Sequence, residues 1–279
     1  MAGRMHFTNK TFFIVTLFMF LVSFIVLAGC GKSTATPGEG SGTLGKIIET
    51  GKIVVGTSAD YPPYEFRLLN DEEGDIVGID IDIANEIARE LGVKLEVKDI
   101  LFSKLFDSLN AGEIDMIIAG IAPTEKRKEV ADFSDVYYQA IQEMLIRADE
   151  TRTIKSIEDL RGKKVGVQKD SIQEESARNQ IKGAEFILEE KVTELVAALK
   201  QGDIDALILE KPVADSFALR NSDLISIAAG VDDQRMGSAI AVRKGNDELL
   251  QKINEVLRKL KDGNKIAEFI WEAKILSNK

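Results

Sequence analysis

From residue 46 onward, short apolar runs alternate with amphipathic stretches, the pattern of an α/β fold with mostly parallel sheets. The run IVVG at 53–56 predicts a strand. Over 80–91, Ile83, Ala84, Ile87, Ala88 and Leu91 fall on one face and Gly92 stops the pattern, which predicts a helix. A second helix is expected over 104–111, with Leu105 and Leu109 inward and Gly112 as its stop. Residues 114–119 then contain hardly a polar side chain, as a strand buried on both faces should.

The pattern repeats further along. Ser156 and Asp159 form a capping-box variant opening a short helix, followed by a strand at 164–167 and a helix over 171–181. A strand at 186–188 leads into a helix over 192–200 that turns Val192, Leu195, Val196 and Leu199 inward, and Pro212 marks another helix start. A strand at 238–242 and two helices, over 246–261 and 265–274, close the chain, with Trp271 expected in the core. Within this series, LNAGEIDMII at 109–118 is echoed by LKQGDIDALI at 199–208. Both read as a helix end, a glycine cap and a buried strand. Convergence on good capping would produce that; so would two lobes of similar build, each delivering a strand whose C-terminal end carries function.

The first residues are different in kind. Arg4, His6 and Lys10 precede a 17-residue run at 11–27 without a charge. A targeting segment has this form, and a retained single-pass anchor is the alternative. Leu27-Ala28-Gly29-Cys30 comes next, then a stretch rich in Gly, Ser, Thr and Pro. This resembles the bacterial lipobox, which implies cleavage before Cys30 and lipidation of its thiol. Residues 1–29 are then a lipoprotein signal peptide and 30–45 a flexible tether. Two or three acyl chains give stable anchoring where one does not.

Charge and rare residues narrow the chemistry. The 279 residues hold 36 Lys plus Arg against 46 Asp plus Glu, and loss of Arg4 and Lys10 takes the net charge from −10 to −12. No basic stripe with interleaved aromatics is present, so nucleic acid is not an expected partner. The single histidine, His6, and the single cysteine, Cys30, both lie in the first thirty residues. The body therefore offers no Ser-His-Asp triad, Cys-His pair, imidazole or thiol metal site, or disulfide. No metal, cofactor or catalytic residue is expected.

In open α/β sheets ligands lie beyond the carboxyl ends of strands. The residues just past the expected strands are Ser58, Tyr61 and Tyr64; then Ala119, Gly120, Ala122, Thr124 and Arg127; then Asp170, Ser171, Ile172 and Gln173; then Glu210. Taken alone, the EKRKE run around Arg127 is a solvated helix face, YPPY a stiff turn, Glu210 half of a loop pair and Ser171 a cap. Together they suit a zwitterion: a guanidinium for a carboxylate, a carboxylate for an ammonium, and rings for a side chain.

GTSADYPPYEF at 56–66, GIDIDIA at 78–84, GEIDMIIAGIAPTEKRK at 112–128 and DFSDVYY at 132–138 resemble family 3 of the bacterial extracellular solute-binding proteins. The resemblance implies a two-lobed periplasmic-binding-protein type II fold, each lobe a mostly parallel sheet flanked by helices, joined by two crossing hinge segments. Lobe one would be 46–138 plus 237–279, and lobe two 142–233. It implies a non-enzymatic, monomeric, lipid-anchored extracytoplasmic receptor that closes on an amino acid and delivers it to the permease subunits of an ABC transporter. By the same resemblance Arg127 clamps the α-carboxylate, assisted by the main chain near Ala119 and Gly120 and by Ala122. Glu210 takes the α-ammonium, Tyr61 and Phe102 sandwich the side chain, and Ile172 and Gln173 add contacts from lobe two. Ala122 and Ile172 lack the hydroxyls common in the family, and Glu210 replaces the commoner Asp. Ser58 stands where receptors for cationic side chains carry an acid, so a neutral polar amino acid is expected. The rival is a prephenate or arogenate dehydratase-like enzyme on the same fold, for which Glu210 or Asp60 would have to move protons.

Overall fold

A computed structural model describes residues 42–68, 74–231 and 237–277. The expected signal segment, Cys30 and most of the tether lie outside these residues. Helix α1 (Thr43–Thr50) begins within the stretch expected to be tether. It is held because Ile47 is buried, and because the Thr43 hydroxyl donates to Asn246 Oδ1 at 2.6 Å and accepts from Arg243 Nη2 at 3.0 Å.

Two mixed sheets flanked by helices make up the architecture. The first orders its strands β5 (Lys94–Asp99), β1 (Lys52–Thr57), β6 (Met116–Ile117), β13 (Ala241–Arg243) and β7 (Ala131–Phe133). The second orders them β10 (Glu185–Glu189), β9 (Lys164–Gln168), β11 (Ala206–Glu210), β8 (Gln142–Arg147) and β12 (Leu224–Ala228). In each, four strands share one direction and the strand in fourth place runs against them. That reversed strand is the one entering after a crossing: β8 when the chain leaves the first sheet, β13 when it returns. The expected strand at 238–242 is shorter for this reason. Ser238 instead bridges Tyr138 where the two crossings touch. Gly237, with φ 68°, sits there because a Cβ would lie 2.6 Å from the Tyr138 carbonyl oxygen.

Helices α2 (Ile79–Leu91) and α3 (Leu105–Ala111) pack on the first sheet, and α8 (Asp247–Asp262) and α9 (Lys265–Leu276) pack against α2 and each other. The second is flanked by α5 (Ile172–Gln180), α6 (Val192–Gln201) and α7 (Lys211–Arg220). Trp271 is not core: it is 65% exposed. Ile266 and Ala273 define the buried side of α9, with Phe269 and Ile270 packed partly against it, and the next residue points away from that stripe. Among the described residues, no helix is long and apolar enough to cross a membrane.

The echoed segments occupy equivalent places. α3 and α6 both end in left-handed glycines, Gly112 and Gly202, and feed the central strands β6 and β11. Asp115 accepts from the Val54 amide at 2.9 Å, as Asp205 accepts from the Lys164 amide at 2.8 Å. The similarity of the two segments thus extends from sequence to hydrogen bonding.

Candidate ligand-binding site

After β1 the chain forms a small antiparallel sheet, β2 (Asp60–Tyr61), β3 (Glu65–Arg67) and β4 (Ile76–Val77), with a tight turn closed by the Tyr64 amide on the Tyr61 carbonyl at 2.9 Å. This sheet lines one wall of a narrow pocket with Asp60, Tyr61 and Glu65, beside Ser58. Phe102, Ala119, Gly120, Ala122 and Arg127 extend the wall, while Gln168, Ile172 and Gln173 face it from the second sheet's side. Nine of the ten expected ligand-binding residues are therefore together on one pocket.

Arg127 lies in the short helix α4 (Glu125–Lys128), whose cap Thr124 accepts from the Arg127 amide at 3.2 Å. Glu125, Lys126 and Lys128 are exposed, but Arg127 turns inward. Its Nη1 donates to the Ala122 carbonyl and its Nη2 to the Asp170 carbonyl, both at 3.0 Å. The guanidinium lies 5.4 Å from the Phe102 ring centre and 5.9 Å from that of Phe106. No carboxylate among the described residues forms an ion pair with it. Burial pushes its pKa down to about 10. A cation so fixed by carbonyls and a ring, with N–H groups to spare, is set to receive a carboxylate in bidentate fashion.

The opposite chemistry comes from Glu65. Its carboxyl is buried and raised well above the usual range, first by desolvation and then by Asp80, to which it is hydrogen-bonded. Its Oε2 has no hydrogen-bond partner among the described residues. Behind it, Asp80 in the first turn of α2 accepts from the Gly120 amide at 2.8 Å and from the Tyr137 hydroxyl at 2.8 Å. Asp80 thereby fixes the Ala119–Gly120 backbone. Gly120 itself, φ 55°, leaves room for Tyr61, whose ring carbons would lie 3.4 Å from a Cβ there.

Glu210, expected on the ammonium, is not on the pocket wall. At the end of β11 its carboxylate receives the Tyr64 hydroxyl, while its amide donates to Tyr61 Oη at 3.4 Å. Tyr61 and Tyr64 stack with ring centres 5.7 Å apart. On the far wall, Ser171 caps α5 by accepting from the Glu174 amide at 3.1 Å, and Gln173 Nε2 donates to Gln142 Oε1 at 3.1 Å. Sequence reasoning missed Glu65 and Gln168 as wall residues and named Asp60 only as a proton carrier for the rival enzyme. Gln168 ends β9 and was within reach of the strand-end rule; Glu65 required knowing that the chain folds back in β3. Among the described residues, no cluster of three or more His, Cys, Asp or Glu is placed to hold a metal.

Residues 53–271 match the family model of the bacterial extracellular solute-binding proteins, family 3. The chain belongs to this family. The family 3 chain is 36% identical to the arginine-binding extracellular protein ArtP of Bacillus subtilis, over 86% of its own length and 89% of that protein's. It is 34% identical to the glutamine-binding protein GlnH of the same organism, over 93% and 95%. Its fold matches that of the substrate-binding protein AbpA of an amino acid ABC transporter of Streptococcus pneumoniae, solved bound to L-arginine. There the TM-score is 0.81 and the identity 35%, covering 84% of this chain and 99% of that one. The fold of this family 3 member is that of the type II periplasmic binding proteins.

Proposed function

We propose that this chain is the lipid-anchored extracytoplasmic receptor of an ABC importer, that it closes on an amino acid, and that it delivers the ligand to membrane permease subunits as a monomer without catalysing a reaction. One observation carries the reading: a guanidinium held by carbonyls, Arg127, shares a single pocket with the buried carboxyl of Glu65, whose Oε2 has no partner among the described residues. Those are the complements of the anionic and cationic groups that an amino acid can carry. Membership of family 3 supports the same conclusion, and so do relatives named for arginine and glutamine binding.

For the ligand's side chain, Ser58 taken alone favours a neutral polar group. Glu65 shifts the balance. A buried carboxyl oxygen without a protein partner is costly to leave unmet, and a cationic side chain would both meet it and restore its charge. A basic amino acid is accordingly the ligand we propose, with Tyr61 and Phe102 beside its carbon chain. Ser58, Ala119, Gly120, Ala122, Ile172 and Gln173 complete the walls, and Glu210 acts through the Tyr64 hydroxyl.

A thermal-shift screen of the chain from Gly42 against the twenty amino acids tests this. At a hundredfold excess over Kd, the ligand adds about 2.7 kcal/mol of stability. Arginine or lysine should be among those that stabilise; glutamine alone would move the ligand to the neutral class. No shift with any amino acid, together with turnover of prephenate or arogenate, would replace the receptor with the enzyme. For the anchor, Cys30→Ala should release the chain from membranes or leave an uncleaved precursor, whereas undiminished lipid labelling would refute attachment at Cys30.

A further inference from the structure

Helix α6 has no cap of its own. Lys191 stands at its N-cap position and makes no side-chain hydrogen bond to the helix. The first N–H groups of a helix need partners from outside it. One comes from the other side of the cleft: Asp60, buried beside the pocket, accepts from the Val192 amide with Oδ2 at 2.5 Å. The neighbouring residue is gripped as well. Glu190 Oε2 accepts from Ser103 Oγ of the first lobe at 2.6 Å, while its Oε1 takes Lys169 Nζ of its own lobe at 2.6 Å. The turn from β10 into α6 is thus held from the opposite lobe on both sides of Lys191.

We propose that Asp60 is the N-cap of α6 supplied from the opposite lobe, a positioning residue that gives the receptor a closed population before any ligand binds. In an open form both the Val192 amide and the Asp60 carboxylate are hydrated; closure strips water from each and leaves each with the other. Burial raises Asp60 to about 6, and the Val192 amide, with smaller help from the Ser58 hydroxyl and the Thr193 amide, pulls it back. Ligand affinity changes in step, because the apparent Kd scales inversely with the fraction already competent to bind. The idea rests on reading the chain as a receptor that closes, but its first readout uses no ligand.

The test places spin labels at the exposed positions Glu113→Cys and Thr151→Cys of the detergent-solubilised full chain carrying Cys30→Ser, and measures the distance distribution between the lobes. Without ligand, the unsubstituted cleft should show a short-distance fraction. Asp60→Ala should lower the closed-to-open ratio about fivefold, the factor that corresponds to one lost cap. Asp60→Asn keeps an acceptor without the charge and should restore the ratio to within about twofold. Val192→Pro removes the stronger donor at a helix position that tolerates proline, and should lower the ratio in the same direction by no more than Asp60→Ala, since the Thr193 amide remains. Titration with L-arginine and L-glutamine should show weakening by Asp60→Ala no larger than the loss of closed fraction, with recovery in Asp60→Asn. The proposal falls if the ligand-free chain has no short-distance fraction, if Asp60→Ala leaves the ratio unchanged, or if Asp60→Asn is as damaging as Asp60→Ala. The last outcome would make Asp60 a charge partner of the ligand. Failure of the receptor reading itself would be seen separately, as the absence of any amino-acid-dependent stabilisation.

Discussion

Arg243 and Arg147 do the same work in the two sheets. Each ends the reversed strand of its sheet, and each reaches back over a glycine-capped helix end. Arg243 Nη1 donates to the carbonyls of Leu109 and Ile114 at 3.2 and 2.8 Å, and Arg147 Nη1 to those of Leu199 and Ile204 at 2.8 and 2.6 Å. The Leu109 and Leu199 carbonyls also accept from the Gly112 and Gly202 amides, so each guanidinium adds a second bond at the helix end and ties it to the carbonyl of Ile114 or Ile204 beyond the turn. Replacing Arg147 with Met should cost about 2–4 kcal/mol, as two charge-assisted hydrogen bonds are lost from a partly buried site. Urea unfolding measures it. A loss below about 0.5 kcal/mol would mean water replaces the guanidinium freely.

The glycines beside these turns should be equally paired. A Cβ at Gly56 would come within 2.4 Å of Ile114 Cδ1, and one at Gly166 within 2.6 Å of Ile204 Cδ1. Gly56→Ala and Gly166→Ala should each destabilise by about 1–3 kcal/mol through overpacking. Ile114→Val or Ile204→Val deletes the offending methyl and should recover part of the loss in the matching double variant. Additive losses in the double variants would disprove the contact.

For Arg127, the expected result is loss of function without loss of fold. Arg127→Ala should abolish amino-acid-dependent stabilisation, while the circular dichroism and the ligand-free melting temperature change little, since its protein partners are two backbone carbonyls and two rings. Arg127→Lys should not restore binding, because a point charge cannot supply the paired N–H fork. Retained affinity in either variant would remove Arg127 from the site.

Glu65→Gln separates ligand classes. It keeps the shape and removes the ionisable oxygen, so affinity for arginine or lysine should fall by tenfold or more, the loss of one charge-assisted bond of about 1.5–3 kcal/mol, while affinity for a neutral amino acid should hold or rise. Calorimetric titration of both variants with both ligand types decides it; equal loss for both would assign Glu65 to the backbone of the ligand.

The buried pair behind the pocket makes stability depend on pH in a definite direction. Burial raises Asp80 to about 6, whereas an unfolded Asp titrates near 3.9. The folded form therefore holds a proton that the unfolded form releases. The contribution is fully present below about pH 4 and is lost as pH rises through about 6, on the order of 3 kcal/mol across that window. In urea titrations at pH 4 and 6.5, Asp80→Asn should lose less stability than the parent over this interval. An identical slope in both would show that Asp80 does not carry it.

Much of the fold was legible in one dimension. Hydrophobic periodicity and glycine stops located α2, α3, α6 and the central strands, because a helix face and a two-sided buried strand leave marks within a dozen residues. The strand-end rule found Tyr61, Arg127 and Gln173, since a cleft at the carboxyl edge of a sheet is lined by the loops that leave its strands. It failed for Glu65, which enters the pocket only after the chain reverses through β3; helix periodicity failed for Trp271, where one step around a helix separates a packed side from an open one.

The sequence by itself determined the elements, the confinement of His6 and Cys30 to the first thirty residues, and the membership of family 3. Tertiary structure alone decided which carboxyls face the pocket and which are engaged by the protein. Glu210 receives the Tyr64 hydroxyl, Asp60 reaches the bare end of α6, and Glu65 Oε2 has no partner among the described residues. Composition cannot distinguish these three acids, because their chemistry is the same and only the neighbours that folding brings to each, from residues far along the chain, determine whether its charge is met by protein or left for a ligand.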